Sequence, residues 1–305
     1  MSVMTSSQFR IVVEPIYAEE FDSVYDQRKD EWKRVFMERT GDAHAYHEEP
    51  ILYGFGAAPE LPEGTSVTFN SGGVLYSARY LYKVYGLGFA ITKVLVEDTQ
   101  HIKVGSIYSR HLAQSMIETK ETVAANILNR AFNTNYLYGD GKALCVSDHP
   151  AAPGSAAQSN ILSTAAALSH TSLEQMLIQI RNAKDWNGKN ISLKAARLIV
   201  PPSLMFTAER ILKSTLQSGT ANNDINAVRS MASVSEDPVV LSRLTSTTAW
   251  WVQTDAPEGL KHLVRRKMEK SMEGDFETDS MKYKATERYS FGATDWKGVF
   301  GTAGV

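Results

Sequence analysis

The chain has 305 residues and a mass of 33.8 kDa, with 43% hydrophobic and 22% charged residues, an ordinary globular composition that excludes wholesale disorder. The formal charge of −2 gives no broad basic field for nucleic acid, and no apolar run reaches the roughly 18 to 20 residues of a membrane span. The single cysteine, Cys145, rules out an internal disulfide framework, and with a polar start at Met1 to Arg10 the expectation is synthesis in a reducing cytoplasm.

The first fifty residues are the most acidic, with 11 Asp and Glu against 6 Lys and Arg. Phe21, Val24, Tyr25, Trp32, Val35 and Phe36 recur at helical spacing, which predicts an amphipathic helix from about Glu19 to Glu38. We read it as an arm that needs a surface to lie on, against the alternative of a first helix in a compact domain. Residues 51 to 98 are different. Pro59, Pro62 and Gly64 break any helix, while Val67 to Phe69, Val74 to Val84 and Phe89 to Val96 are β-branched and aromatic. With Gly72-Gly73 and Gly86-Leu87-Gly88 as turns, they predict a long β-hairpin whose faces are both sticky. Such a hairpin is marginal alone, so it must lie on a core or on another molecule.

A helix is predicted from about Gln100 to Phe132, with Ala113, Ile117, Ala124, Leu128 and Ala131 in one stripe. It would span roughly 45 to 50 Å at 1.5 Å per residue, the length of a strut. Gly139-Asp-Gly141 predicts a tight hairpin between Tyr136–Tyr138 and Ala143–Val146, and residues 151 to 170 read as a loop. Thr171-Ser-Leu-Glu174 has the form of a capping box for a helix running to about Asp185. Ala195–Val200 reads as a buried strand, and Pro202 opens a helix from Ser203 to Ser214. Residues 217 to 227 read as a polar loop. Val239–Leu244, Ala249–Gln253, Leu263–Met268 and Glu273–Phe291 read as strands, and Trp296 to Gly301 closes the chain. The class is α+β.

A search for chemistry returns little. No nucleophile elbow, Walker loop or Cys-x-x-Cys pair is present, and Gly86-Leu87-Gly88 lacks the third glycine and helix start of a dinucleotide fingerprint. His44, His47, Glu48 and Glu49 have metal-like spacing, but Gly41 and Pro50 flank them, so a polar connector is the better reading. His149 follows Asp148 without a nucleophile in local reach, and reads as a turn residue. Cys145 packs as a small hydrophobe. The basic run Lys261, Arg265, Arg266, Lys267 and Lys270 is diluted by Glu258, Glu269 and Glu273, and reads as a solvated or salt-bridged face. The expectation is no catalytic residue, no cofactor and no metal. What stands out is an arm, an unsupported hairpin and a strut, which suit a self-assembling subunit with heterologous contacts.

Several segments then resemble, in order, the major head proteins of tailed bacteriophages with the Hong Kong 97 fold, in particular the Mu-like major head subunits. They are Ala90-Ile-Thr-Lys93 with Val96-Glu-Asp98, the spine-like Gln100–Phe132, Tyr138 to Pro150 with Asn160-Ile-Leu162, Leu198 to Leu204 with Ala208 to Leu212, Asn226 with Pro238 to Trp250, and Trp296 to Gly301. The resemblance implies an N-terminal arm at 1–50, an extended β-hairpin loop at 51–98 and a spine helix in a peripheral domain at 99–149. It also implies a compact axial domain at 150–268 and peripheral return strands at 269–305.

The resemblance further implies hexamers and pentamers around double-stranded DNA, held without sequence-specific contact, and a place in the virion after synthesis in the host cytoplasm. A separate scaffold protein, a portal and a decoration protein would be partners; a membrane would not. Intersubunit contacts are expected at Tyr25, Trp32 and Phe36, at Tyr76, Arg79, Tyr80, Tyr82, Lys83 and Tyr85, and in the loop 217–227. Some relatives bond a loop lysine to a neighbour's asparagine; Lys83 is the lysine in the hairpin's middle, but a surface charge or ion pair is its preferred use. Two alternatives remain: an encapsulin-type compartment shell, and a metal-dependent hydrolase using His44, His47 and His149.

Overall fold

The computed structural model describes residues 6–27, 30–42, 44–92, 95, 101–217, 224–275 and 280–305. The sequence calls that fall on 93–94, 96–100 and 218–223 lie outside the described residues.

The elements in chain order begin with helix α1 (Ser6–Gln27), strands β1 (Met37–Thr40), β2 (Tyr46–Tyr53), β3 (Gly73–Leu81) and β4 (Lys83–Thr92), and the long helix α2 (His101–Asn129). Helix α3 (His170–Arg181), β5 (Ala195–Val200), α4 (Met205–Lys213), the single turn α5 (Ala227–Ser230), β6 (Val239–Val240) and β7 (Trp250–Thr254) follow. The chain ends with β8 (Leu260–Asp275), β9 (Ser280–Ala293) and β10 (Val299–Thr302). Two four-stranded sheets organise them, in the orders β1-β8-β9-β4 and β10-β7-β5-β6, and β2 with β3 forms a separate ribbon. The class is α+β, as expected.

In the first sheet β9 alternates with period two. Tyr283, Ala285, Glu287 and Tyr289 are buried towards the helices, while Lys282 and Lys284 are exposed on the other face. Helices α1 and α2 cover the inner face through Val13, Tyr17, Phe21, Leu112, Ala113 and Met116. At 29 residues, α2 is a strut of roughly 43 Å. A second core gathers α3, β5, β7 and β10 around Leu173, Met176, Leu198, Val200, Trp250 and Phe300.

The structure corrects the sequence reading in several places. The expected arm helix at 19–38 is displaced: α1 ends at Gln27, Trp32–Arg34 is a 3₁₀ turn, and Met37–Thr40 pairs with β8 in parallel. The reason is local anchoring, since Glu31 N–H donates to the Glu121 carboxylate of α2 at 2.7 Å. The expected hairpin of 74–84 on 89–96 does not form. Residues 73–92 form two successive strands, and at Tyr82 the chain passes from the ribbon (β3 on β2) to the first sheet (β4 on β9). Gly86 and Gly88 are therefore strand residues, not a turn. A Cβ on Gly86 would lie 2.8 Å from the Thr286 methyl, and one on Gly88 2.6 Å from the Tyr283 carbonyl oxygen, so glycine is what lets β4 lie flat on β9.

Smaller corrections follow the same logic. The cap of α3 is Ser169, reciprocated by Ser172, rather than Thr171 and Glu174. The Gly139–Gly141 turn exists, with Gly141 at φ +75°, but no strands flank it. A boundary at 268 would cut β8, which runs unbroken from Leu260 to Asp275, and β10 joins β7 rather than the peripheral return strands.

Candidate functional site

The ribbon β2–β3 is anchored at its base and free at its tip. At the base Tyr80, Ala78 and Tyr82 pack on Leu263. The Lys261 ammonium is fully buried between the carboxylates of Glu49 and Glu258, and Thr294 Oγ1 also donates to Glu49. Burial acts to raise the Glu49 carboxyl, but hydrogen bonds from Lys261 and Thr294 and the lysine charge outweigh it and hold it below the usual carboxylate range. Tyr76 Oη donates to the Thr294 carbonyl at 3.0 Å, and its ring meets Trp186 edge-on. Burial pushes the Tyr76 and Tyr80 phenols up, so both stay neutral donors.

Beyond the base, residues 54–72 form an exposed irregular loop. Asn187 Nδ2 holds its start through the Gly54 carbonyl at 2.8 Å, and Lys189 through the Phe55 carbonyl at 2.7 Å. The tip carries four large apolar side chains in water: Phe55, Leu61, Val67 and Phe69, the last 94% exposed. Glu60 and Glu63 are its only charges. Burying apolar surface is worth about 25 cal/mol per Å², so this loop favours a covering partner.

The nine residues expected at contacts divide by burial. Trp32 and Phe36 are covered by their own chain, packed with Phe291 between α2 and the first sheet. Tyr80 and Tyr82 are likewise buried, and the Tyr82 phenol oxygen accepts Asp42 N–H at 3.2 Å. These four keep almost no surface for a neighbour, which corrects the expectation for them; they find their burial within the chain. Tyr25 is half-buried, with Lys120 donating to its oxygen at 2.9 Å, and Tyr85 is half-buried against Tyr289 at 4.6 Å. Arg79 is exposed and bonds Glu48 at 2.6 Å, and Lys83 is exposed.

Two of the three histidines of the hydrolase alternative are engaged, each in its own place. His47 lies between Asp42 and Glu49, and His44 is exposed. His149 is fully buried: Nδ1 is 2.6 Å from Asp140 Oδ2, Nε2 is 3.0 Å from Asn160 Oδ1, and the ring stacks on Trp296 at 4.4 Å. Asn160 in turn donates to the carbonyls of Leu144 and Val299 at 2.7 and 2.9 Å, tying the segment after α2 to the C-terminal strand. Among the described residues no group of three or more metal-ligating side chains is gathered. Sequence reasoning missed both polar ties, Asp140–His149–Asn160 and Glu49–Lys261–Thr294. The first was local enough to suspect, with spacings of nine and eleven residues; the second joins residues more than two hundred positions apart.

A helix-backed sheet, a second sheet with its own core and a projecting ribbon have known counterparts. The capsid of Cyanophage P-SCSP1u is similar at TM-score 0.54 and 14% identity, over 88% of this chain and 85% of that one. The procapsid of bacteriophage JBD30 is similar at 0.53 and 14%, over 98% and 75%. A virus-like particle from Pyrococcus furiosus is similar at 0.52 and 10%, over 94% and 98%. At such identities these likenesses show the fold, which is of the Hong Kong 97 type. No curated protein matches. A family model described as phage capsid protein matches residues 63–301, most of the chain and all of its two sheets except β1 and the last residue of β10. The chain therefore belongs to the phage capsid protein family, and it is a capsid shell protein.

Proposed function

We propose that this subunit assembles into hexamers and pentamers that tile an icosahedral head around double-stranded DNA. The observation that carries the reading is the loop 54–72, whose four apolar side chains stand in water on a ribbon braced from below. Heterologous contacts of that kind close into rings and shells. In this reading the chain to about residue 50 is the N-terminal arm, the ribbon is the extended loop, α2 with β8 and β9 is the peripheral domain, and β5 to β7 belong to the axial domain. Arg79 and Lys83, with the half-exposed Tyr25, Tyr76 and Tyr85, are the contact candidates that keep some surface. A near-neutral subunit suits a wall that should not hold packaged DNA by charge. A separate scaffold protein, a portal and a decoration protein are further partners of the same reading, and synthesis is in the host cytoplasm.

The test is size-exclusion chromatography with negative-stain microscopy of the purified chain. Capsomers or closed shells are expected. A monomer of 33.8 kDa that persists at high concentration would overturn the proposal. Shells filled with a protein cargo and free of DNA would favour a storage compartment instead; the family match to phage capsids supports the head.

A further inference from the structure

A cleft of about 340 Å³ opens between the N-terminal segment and the first sheet. Residues of α1, the 3₁₀ turn, β1, α2, β8 and β9 line it, among them the rings of Tyr25, Trp32, His262 and Tyr289. Its volume is within the range of small-molecule sites, roughly 300 to 1,000 Å³.

Its buried polar atoms lack partners. Trp32, His262, Glu287 and Tyr289 are each 2% exposed or less. Yet among the described residues nothing hydrogen-bonds Trp32 Nε1, either His262 ring nitrogen, Glu287 Oε1 or Tyr289 Oη. Glu38 Oε2 stands 3.5 Å from His262 Nδ1 without a hydrogen bond, and Lys120 takes only the other Glu287 oxygen. A buried polar atom left unpaired is costly, and folded chains leave few of them. Four such residues on one cleft mark a place where something else completes the bonding.

The unpaired atoms describe what would satisfy them. The Trp32 N–H can only donate, and the Glu287 carboxylate oxygen can only accept. Burial pushes the His262 imidazole down to about 3, helped by the charges of Lys120 and Lys33, so the ring is neutral with one donor and one acceptor nitrogen. Burial pushes the Tyr289 phenol up, so it too keeps its proton. A hydroxyl, which both donates and accepts, answers all of them. The lining is also balanced in charge, with five carboxylates and five Lys or Arg side chains. Asp22 with Lys270, Asp30 with Lys33 and Glu287 with Lys120 are closed pairs at 2.6, 2.7 and 2.5 Å. An anion or a cation would upset that balance, and a neutral molecule does not.

We infer that this cleft binds one small uncharged polyol, of the size of a single sugar ring, whose hydroxyls pair with Trp32, His262, Glu287 and Tyr289. Roughly ten waters would fill the same volume at ~30 Å³ each. A ring polyol offers the same hydroxyl chemistry, adds an apolar face for the aromatic side chains and releases those waters. Because the lining spans the N-terminal segment and the sheet, the occupant ties the two together. None of this depends on the shell reading.

The test uses the full chain, with myo-inositol and glucose as neutral probes and inorganic phosphate and spermidine as charged ones, followed by saturation-transfer NMR and thermal melting. At least one neutral probe should bind saturably, with a dissociation constant of roughly a few millimolar or tighter for a molecule of about twelve heavy atoms. It should raise the melting temperature as it binds. Tyr289→Phe and His262→Phe remove unpaired atoms and keep an aromatic ring, so without probe both should melt within about 3 °C of wild type. Each should weaken the neutral probe at least about tenfold; if one fails to fold, the other decides. No saturable binding of either neutral probe would overturn the inference and leave the cleft to ordered water. Binding unchanged in the folded variants would overturn it by placing the probe elsewhere. Phosphate or spermidine binding that the wild type shows and the variants lose would overturn the neutral class.

Discussion

Glu121 shows how a single residue can make subunit stability depend on pH. It is buried on α2, and burial pushes its carboxyl up from 4.5 to about 7. The hydrogen bond from Glu31 N–H opposes this, the Glu31 and Asp30 charges add to it, and Arg243 opposes it. Because the folded state holds the proton more tightly than the unfolded state, the cost of ionising Glu121 is full above pH 7 and is relieved as pH falls towards 4.5. Glu121→Gln keeps a carbonyl to accept the Glu31 N–H and removes the charge. We expect it to be more stable than wild type at pH 8, by on the order of 1 kcal/mol, with the gap closing towards pH 5. Urea midpoints across that range would check this, and a pH-independent difference would count against it. Glu31 uses its own carboxylate on Ser242, at 2.8 Å to N–H and 2.7 Å to Oγ, so the junction of N-terminal segment, strut and second sheet turns on these two acids.

Among the elements, the strut and the first sheet are joined by a buried ion pair. Lys120 of α2 meets Glu287 of β9 at 2.5 Å, and Tyr25 of α1 accepts from the same ammonium at 2.9 Å. Desolvation works against the Lys120 charge, but Glu287 and Tyr25 outweigh it and raise its pKa, so the ammonium persists. Breaking such a pair leaves an uncompensated charge, so Lys120→Met should cost roughly 3 to 5 kcal/mol. The double change Lys120→Met with Glu287→Leu should cost clearly less, because neither charge remains. Equilibrium unfolding of the two variants decides between this and a merely steric role, for which the losses would add.

For the whole molecule, stability and assembly reside in different parts. The loop 54–72 contributes no residue to the buried cores, and its ends are adjacent: a Cβ on Gly72 would lie 2.8 Å from the Tyr53 carbonyl oxygen. Replacing residues 57–69 by a short Gly-Ser turn should leave the melting temperature of the free subunit within about 2 °C of wild type, since little buried surface is lost. The same change should abolish shells in negative stain. A large drop in melting temperature would mean that the loop supports its own subunit instead. The converse holds for Trp32 and Phe36, whose burial makes them part of the subunit's core.

Composition and local pattern alone determined the class, the strut and the buried strand Ala195–Val200, because helix periodicity and a short β-branched run are properties of neighbouring residues. They also marked residues 51–98 as carrying more apolar surface than a lone hairpin can hide. Pairing partners were decided only in three dimensions. β3 turns back to β2, a segment that reads as polar because His47, Glu48, Glu49 and Pro50 fill it, and β4 pairs with β9 some two hundred residues later. A strand's sequence states which face is apolar but not which distant edge completes its ladder. The same limit explains why Trp32, Phe36, Tyr80 and Tyr82 looked available to a neighbour. Their apolar character was legible, but the surfaces that cover them, Phe291 and Leu263, reach them only once β8 and β9 are folded against the helices and the ribbon.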